Sequence, residues 1–292
     1  MTIGFIGQGF IGKSYADDFE RRGYRVVRYA LEEPYRHNGD KLKDAGIVFV
    51  AVPTPTTQKG FDDSIVRSAI AHAPAGSIVV IKSTILPGTT VSIQKQCPNR
   101  IVLYSPEFLS ETTAAKDAAH PFSNIVGKPV NSTKHARSAA LVHKILPKAP
   151  YTLTCSSTEA EVIKYTHNGS GYVQIVFFNE MYDLARALGC KWTTIEEAIL
   201  HDPLVCNRYA RPVHKSGRGA GGHCFIKDFA ALRFLYESTL PHDAKAAAVF
   251  KAMEAKNMEL LQNSGKDIDL LEGVYGKAVF KKNKHRARRT KA

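Results

Sequence analysis

Cys224 follows directly on Gly217-Arg218-Gly219-Ala220-Gly221-Gly222-His223 and opens a helix-like run, Phe225-Ile226-Lys227-Asp228. A cysteine at a helix start has its thiolate stabilised by the helix dipole, which lowers its pKa and makes it a nucleophile. His223 and Lys227 add positive charge nearby. Taken alone, the segment also fits a loose glycine loop beside an inert thiol. A second set, Glu161, Lys164 and Asn168, is spaced i, i+3 and i+7 on a long helical stretch and so shares one face. In isolation that trio reads as a solvated polar stripe. A third, Gly7-Gln8-Gly9-Phe10-Ile11-Gly12, is a GxGxxG. Gly7 permits a tight turn, Gly9 lets backbone approach a pyrophosphate, and Gly12 lets helix pack on strand, with the helix N-terminus facing the phosphate.

The elements that must position these residues are of two kinds. Residues 3–6 and 25–29 read as strands flanking a helix from about Lys13 to Arg22, which gives the glycine fingerprint its required strand–turn–helix setting. Further strands are expected at Gly46–Val52, Ser77–Lys82 and Arg100–Tyr104, each rich in Val and Ile like strands buried on both faces of a parallel sheet. Each ends in a polar, proline-bearing loop, where ligands bind in a doubly wound sheet. The acid that would bind a ribose 2′-OH is missing, because the second strand ends in Ala30. Glu32 and Glu33 are substitutes from the loop; Arg28 facing a 2′-phosphate would favour NADP. From Ser157 to about Leu188 the pattern turns helical, too long for an isolated helix and fit to be the spine of a helical domain.

Composition bounds the reading. With 44% hydrophobic and 23% charged residues in 292, the chain can bury two ordinary cores. No apolar run reaches the roughly 20 residues a membrane span needs, and the N-terminus reads as a buried strand rather than a signal peptide, so a cytoplasmic protein is expected. Five cysteines without CxxC spacing give neither a disulfide framework nor a zinc site, and no metal is expected. The net charge of +13 is concentrated at one end: seven Lys and Arg residues lie between Lys281 and Lys291. That tail is expected to be a solvated, disordered end, with non-specific nucleic-acid binding the weaker alternative.

The elements GQGFIG, VPTPT, KSTILPGTT, SPEFLSETTAAKD, EVIKYTHN followed by FFNE, and GAGGHCFIKD occur in one collinear order over roughly residues 1–235. In that order the chain resembles the UDP-glucose/GDP-mannose dehydrogenase family, the nucleotide-sugar 6-dehydrogenases. The resemblance implies an α/β fold: an N-terminal Rossmann-like doubly wound parallel sheet (1–150), an all-helical dimerisation-type domain with a long spine helix (151–275), and the basic tail (276–292). It implies oxidation of a sugar C6 alcohol to a carboxylate with two NAD, UDP-glucose being the commonest substrate. Cys224 would form a thiohemiacetal and thioester, and Lys164 and Asn168 would hold the substrate oxygen. Glu107 would act in acid–base steps, Asp228 would order Lys164 or the water, and Thr84 would line the nicotinamide side. The cofactor would lie against Gly7, Gly9, Phe10, Ile11, Gly12, Val52, Pro53, Thr54, Ser83, Thr84 and Glu107. The sugar would meet Phe108, Leu109, Lys164, Asn168, Gly219, Gly221 and Gly222. A homodimer through the long helix is implied too.

The chain departs from the family pattern in three ways. No second glycine fingerprint follows Cys224, so a short form without the usual C-terminal UDP-binding domain is expected. Only about 16 residues separate Ala30 from the strand at Gly46. Gly169 and Gly171 sit inside the long helix, where each costs up to about 1 kcal/mol. Two other readings therefore stay open: a single-step hydroxyacid dehydrogenase, which needs the lysine and asparagine but not Cys224, and a non-catalytic NAD-binding, dimerising remnant.

Overall fold

A computed structural model describes residues 1–277; the basic stretch from Lys281 to Lys291 lies outside the described residues. In chain order the elements are β1 (Thr2–Ile6), α1 (Phe10–Arg21), β2 (Arg25–Tyr29), a 3-10 segment (Arg36–Asp44), β3 (Ala45–Val50), β4 (Thr56–Thr57), β5 (Gly60–Phe61), α2 (Ser64–Ala71), β6 (Ile78–Ile81), α3 (Thr89–Gln96) and β7 (Ile101–Tyr104). There follow α4 (Ala114–Ala119), β8 (Ser123–Lys128), α5 (Thr133–Ile145), β9 (Tyr151–Ser156), α6 (Ser157–Ala187), α7 (Trp192–Leu200), β10 (Val213–His214), β11 (Gly217–Arg218), α8 (Gly222–Thr239), α9 (Ala244–Ser264) and α10 (Ile268–Tyr275). Two compact units result, one of residues 1–54 and 62–164, the other of 55–61 and the chain from Tyr165 on. The division falls inside α6, just after Lys164.

The first unit is built on a seven-stranded sheet in the order β2-β1-β3-β6-β7-β8-β9. It is parallel throughout except where β7 meets β8, at Tyr104 and Gly127. The apolar strands predicted from their Val and Ile content are all present, within two residues of the expected ends. Their side chains fill one core: Ile3 and Phe5 of β1, Ile47 and Phe49 of β3, and Val80 of β6 pack with Tyr15, Ala16 and Phe19 of α1. The Phe5 and Phe49 rings stack at 5.0 Å and Phe19 meets Phe5 edge-on at 5.4 Å, geometries that add to simple burial.

The second unit is helical, with two short hairpins. Tyr172 and Val176 of α6 pack with Ala220 and Phe229, the Tyr172 and Phe229 rings stacked at 3.7 Å. Ile226 and Ala230 of α8 pack with Leu261, Leu271 and Val274 of α9 and α10. The glycines inside α6 gain a reason here. A Cβ on Gly171 would lie 3.0 Å from the Phe225 and Tyr209 rings, and one on Gly169 3.2 Å from a Leu232 methyl. Helix propensity is given up at these positions for close approach of α8. Among the described residues no helix is long and apolar enough to cross a membrane.

Candidate functional site

The glycine fingerprint joins β1 to α1. Gly7 has φ +89, and a Cβ there would lie 2.2 Å from the Ala51 carbonyl oxygen; a Cβ on Gly12 would lie 2.0 Å from the Gly7 oxygen. Both positions exclude any larger residue. Gly9, by contrast, has nothing within 4 Å of a Cβ, and it caps α1 without a side-chain hydrogen bond. The first N–H groups of α1 are thus left to an external acceptor, in a cradle with room for it, and the loop fits a dinucleotide pyrophosphate. Phe10 and Ile11 begin α1 beside it. A cleft of about 470 Å³ opens next to the fingerprint, lined by Lys13, Asp17, Arg28, Tyr35, Asn38 and Lys41 among others.

The structure corrects one expectation about that cleft. Arg28 is not held open for a 2′-phosphate: its guanidinium binds both oxygens of Glu20 (3.1 and 2.6 Å) and reaches Asp17 at 2.7 Å. Two carboxylates already neutralise it, and they hold its pKa above the ordinary arginine value against the effect of burial. Ala30 is buried at the end of β2, while Glu32 and Glu33 are exposed on the following turn.

The loops after β3 and β6 are clipped together. Ser83 Oγ donates to the Val52 carbonyl at 2.7 Å and accepts the Val52 N–H at 2.9 Å, which fixes Val52-Pro53-Thr54 against Ser83-Thr84. Thr54, Ser83 and Thr84 are all buried. The loop after Thr84 is in turn held by Glu161 of α6. The Glu161 carboxylate receives the Gly88 N–H (2.6 Å), the Thr90 N–H (2.9 Å) and the Thr90 hydroxyl (2.5 Å), so it caps α3 from another element. Burial raises the Glu161 carboxyl above its ordinary value, and those three donors oppose the shift.

Lys164, one turn on, serves Glu107. Its ammonium donates to the Glu107 carbonyl oxygen at 2.6 Å and to the carboxylate at 2.9 Å, and the second carboxylate oxygen accepts the Leu109 N–H at 2.7 Å. Both side chains are almost wholly buried. Phe108 lies under the ammonium, its ring centroid 5.5 Å away. Such a pair can stabilise negative charge on a bound oxygen and exchange a proton with it.

In the second unit, Asn168 donates to Asp228 at 2.7 Å, and Lys227 takes the other carboxylate oxygen at 2.5 Å. Because the amide nitrogen must face the carboxylate, the orientation of the Asn168 amide is set. Lys227 is paired rather than a loose positive charge beside the thiol. Gly221 caps α8, which puts Cys224 third in the helix, in its first turn. Gly219, Gly221 and Gly222 form the approach to it. Glu161, Lys164 and Asn168 are 0, 3 and 8% exposed, so the solvated-stripe reading fails: each meets a partner far away in sequence.

One buried residue here has no role assigned from the sequence. Lys82 follows the apolar β6, is 2% exposed, donates to Ser105 Oγ at 3.0 Å and lies 4.5 Å from the Tyr15 ring centroid. Burial pulls its pKa down to about 7; the Glu107 carboxylate opposes that shift and Lys164 adds to it. A lysine ending a buried strand is itself the signal that was available. Among the described residues, no cluster of three His, Cys, Asp or Glu side chains is placed to hold a metal.

Two family models match the chain. Residues 35–146 match the NAD binding domain of the UDP-glucose/GDP-mannose dehydrogenase family, and residues 158–259 match its central domain. The UDP-glucose 6-dehydrogenase AglM of Haloferax volcanii is 26% identical over 80% of this chain, which spans 64% of that relative's length. The structure of a UDP-glucose dehydrogenase from Pyrobaculum islandicum superposes with a TM-score of 0.75 at 26% identity, covering 88% of this chain and 68% of that one. A 3-hydroxyisobutyrate dehydrogenase from Mycobacterium tuberculosis shares the fold, with a TM-score of 0.66 at 18% identity, covering 89% of this chain and 95% of that one.

Proposed function

The chain belongs to the UDP-glucose/GDP-mannose dehydrogenase family, and from that premise we propose that it oxidises the C6 hydroxyl of a nucleotide sugar to a carboxylate, with UDP-glucose as the first substrate to test. NAD, held at the Gly7–Gly12 cradle, supplies the hydride acceptor for both oxidations. The Cys224 thiolate adds to the C6 aldehyde, forming a C–S bond while the carbonyl oxygen takes a proton. Loss of hydride and that proton leaves a thioester. Water then adds to the thioester carbon and the thiolate leaves. Lys164 and Asn168 stabilise negative charge on the C6 oxygen, and Glu107 accepts the proton of the attacking water. Asp228 holds the Asn168 amide in the orientation this needs.

The observation that carries the reading is the place of Cys224 in the first turn of α8. A single-step hydroxyacid oxidation has no step for a thiol. The hydroxyisobutyrate dehydrogenase with which the chain shares its fold is a likeness of fold alone. A homodimer through α6 belongs to the same proposal. Phe177 and Leu184 fall on one side of its C-terminal half, Leu188 lies just past its end, and the three are 54, 51 and 70% exposed; α7 buries no residue.

The test is NADH formation with UDP-glucose, UDP-galactose, UDP-N-acetylglucosamine and GDP-mannose, for the wild type and Cys224→Ser. About two NADH per sugar, with turnover impaired in the variant, is the expected result. NAD binding without oxidation of any of these sugars would overturn it and favour the hydroxyacid or the non-catalytic reading.

A further inference from the structure

The glycine segment before Cys224 is shaped by side chains much later in the chain. Asn257 of α9 accepts the Ala220 N–H at 2.6 Å and donates back to the Ala220 carbonyl at 3.0 Å. At the α9–α10 junction, Lys266, 6% exposed, donates to the Gly219 carbonyl at 2.9 Å, and Asp267 accepts the Gly222 N–H at 2.7 Å. A Cβ on Gly221 would lie 2.0 Å from the same Asp267 oxygen. Lys266 and Asp267 follow the last residue of the central-domain match, residue 259.

Asp267 does more than satisfy a donor. Gly222 is the first residue of α8, and Gly221 supplies no capping side chain. Asp267 therefore supplies, from another element, the side-chain acceptor that Gly221 lacks, and brings a carboxylate to the end of the helix whose first turn holds Cys224. Its own backbone is left-handed, with φ +52, a conformation Asp tolerates better than most residues and the fold keeps here. A carboxylate at this end stabilises the helix but opposes a thiolate two residues on, offsetting the dipole that would acidify the thiol. The other charged or titratable groups around this end are Lys266 beside it, Lys215 and His214 of the β10–β11 hairpin, and His223, Lys227 and Asp228 on α8.

We propose that Asp267 is a positioning residue that sets the acidity of the Cys224 thiol, holding it less acidic than an uncapped helix start would. The proposal rests on the reading of Cys224 as the nucleophile. A thiol held nearer its ordinary pKa is a stronger nucleophile per thiolate and is oxidised less readily between turnovers. Lys266 fixes the other end of the loop, so that the charge acts at a constant place.

The test reads the thiol without turnover. The rate of iodoacetamide alkylation of Cys224 is followed against pH by peptide mass mapping in the full-length wild type, Asp267→Asn and Asp267→Ala. Exposed Cys190 and Cys206 serve as internal references. Asp267→Asn keeps an acceptor for the Gly222 N–H and loses only the charge. Its Cys224 midpoint is expected to fall by about half a pH unit, the size of one charge at a helix end, with the references unmoved. Asp267→Ala is expected to move the midpoint the same way and also speed amide exchange at Gly222. An unmoved or raised midpoint in Asp267→Asn overturns the proposal, and so does a shift shared with Cys190 and Cys206. A wild type that oxidises no sugar would count against the role of Cys224, yet would leave this titration intact.

Discussion

The Lys164 ammonium bonds to Glu107 twice, at the backbone carbonyl and at the carboxylate, inside a first unit that leaves both side chains almost no solvent. Neither charge has water to fall back on. Lys164→Met should therefore destabilise the protein by about 3–5 kcal/mol, most of it from the carboxylate left without its cation. Adding Glu107→Gln should recover a large part of that loss. Urea unfolding of the two single variants and the double variant measures it; strict additivity would mean the pair is not coupled.

Lys82 gives a pH signature. Its ammonium is charged with difficulty in the fold, at a pKa of about 7, and freely in the unfolded chain, near 10.5. Between those values the unfolded chain binds more protons, so the stability penalty is complete below about pH 7 and fades as pH rises toward 10.5. Lys82→Met removes it. The melting temperature of the variant should gain on the wild type most at about pH 6 and progressively less above neutrality. A gap that stays constant with pH would show that the ammonium carries no such penalty.

Glu161 predicts a coupling between α6 and the loop that presents Thr84. Glu161→Ala strands two backbone N–H groups and a hydroxyl, each worth about 1–3 kcal/mol when buried and unpaired. Faster amide exchange is expected at Gly88 and Thr90, with weaker NAD binding by calorimetry. If NAD affinity is untouched while exchange rises, the loop is not part of the cofactor site.

The two glycines of α6 should answer oppositely to alanine. At Gly171 the new methyl meets two aromatic rings at 3.0 Å, and overpacking of about 1–3 kcal/mol should outweigh a helix gain of about 1 kcal/mol. At Gly169 the neighbour is the end of the Leu232 side chain, which can turn aside. Gly169→Ala should be neutral or slightly stabilising. Thermal melts of both variants decide it.

The central strands and the fingerprint were legible because their signals are local: apolar runs ending at prolines, and glycines at a strand–helix turn. β8 and β9 were not. Ser123–Lys128 offers only two large apolar residues, and Tyr151–Ser156 is an edge strand with little buried surface to mark it. The polar face of α6, read from its own spacing, gives a solvated stripe for a different reason. Whether Glu161, Lys164 and Asn168 meet water depends on Thr90, Glu107 and Asp228, and no spacing within α6 reveals those partners. Arg28 likewise suggested a phosphate ligand until Asp17 and Glu20, one face of α1, were placed against it.

Gly221 carries a further consequence. The space its side chain would need is filled by an Asp267 oxygen, so its intolerance of substitution is imposed from outside the motif. In a mutational scan Gly221→Ala should be rejected in the native background and better tolerated beside Asp267→Gly, where the Lys266 Cε, 2.9 Å from the added methyl, must still move aside. The two positions form an epistatic pair, and a lineage that lost the acid would be freer to lose the glycine.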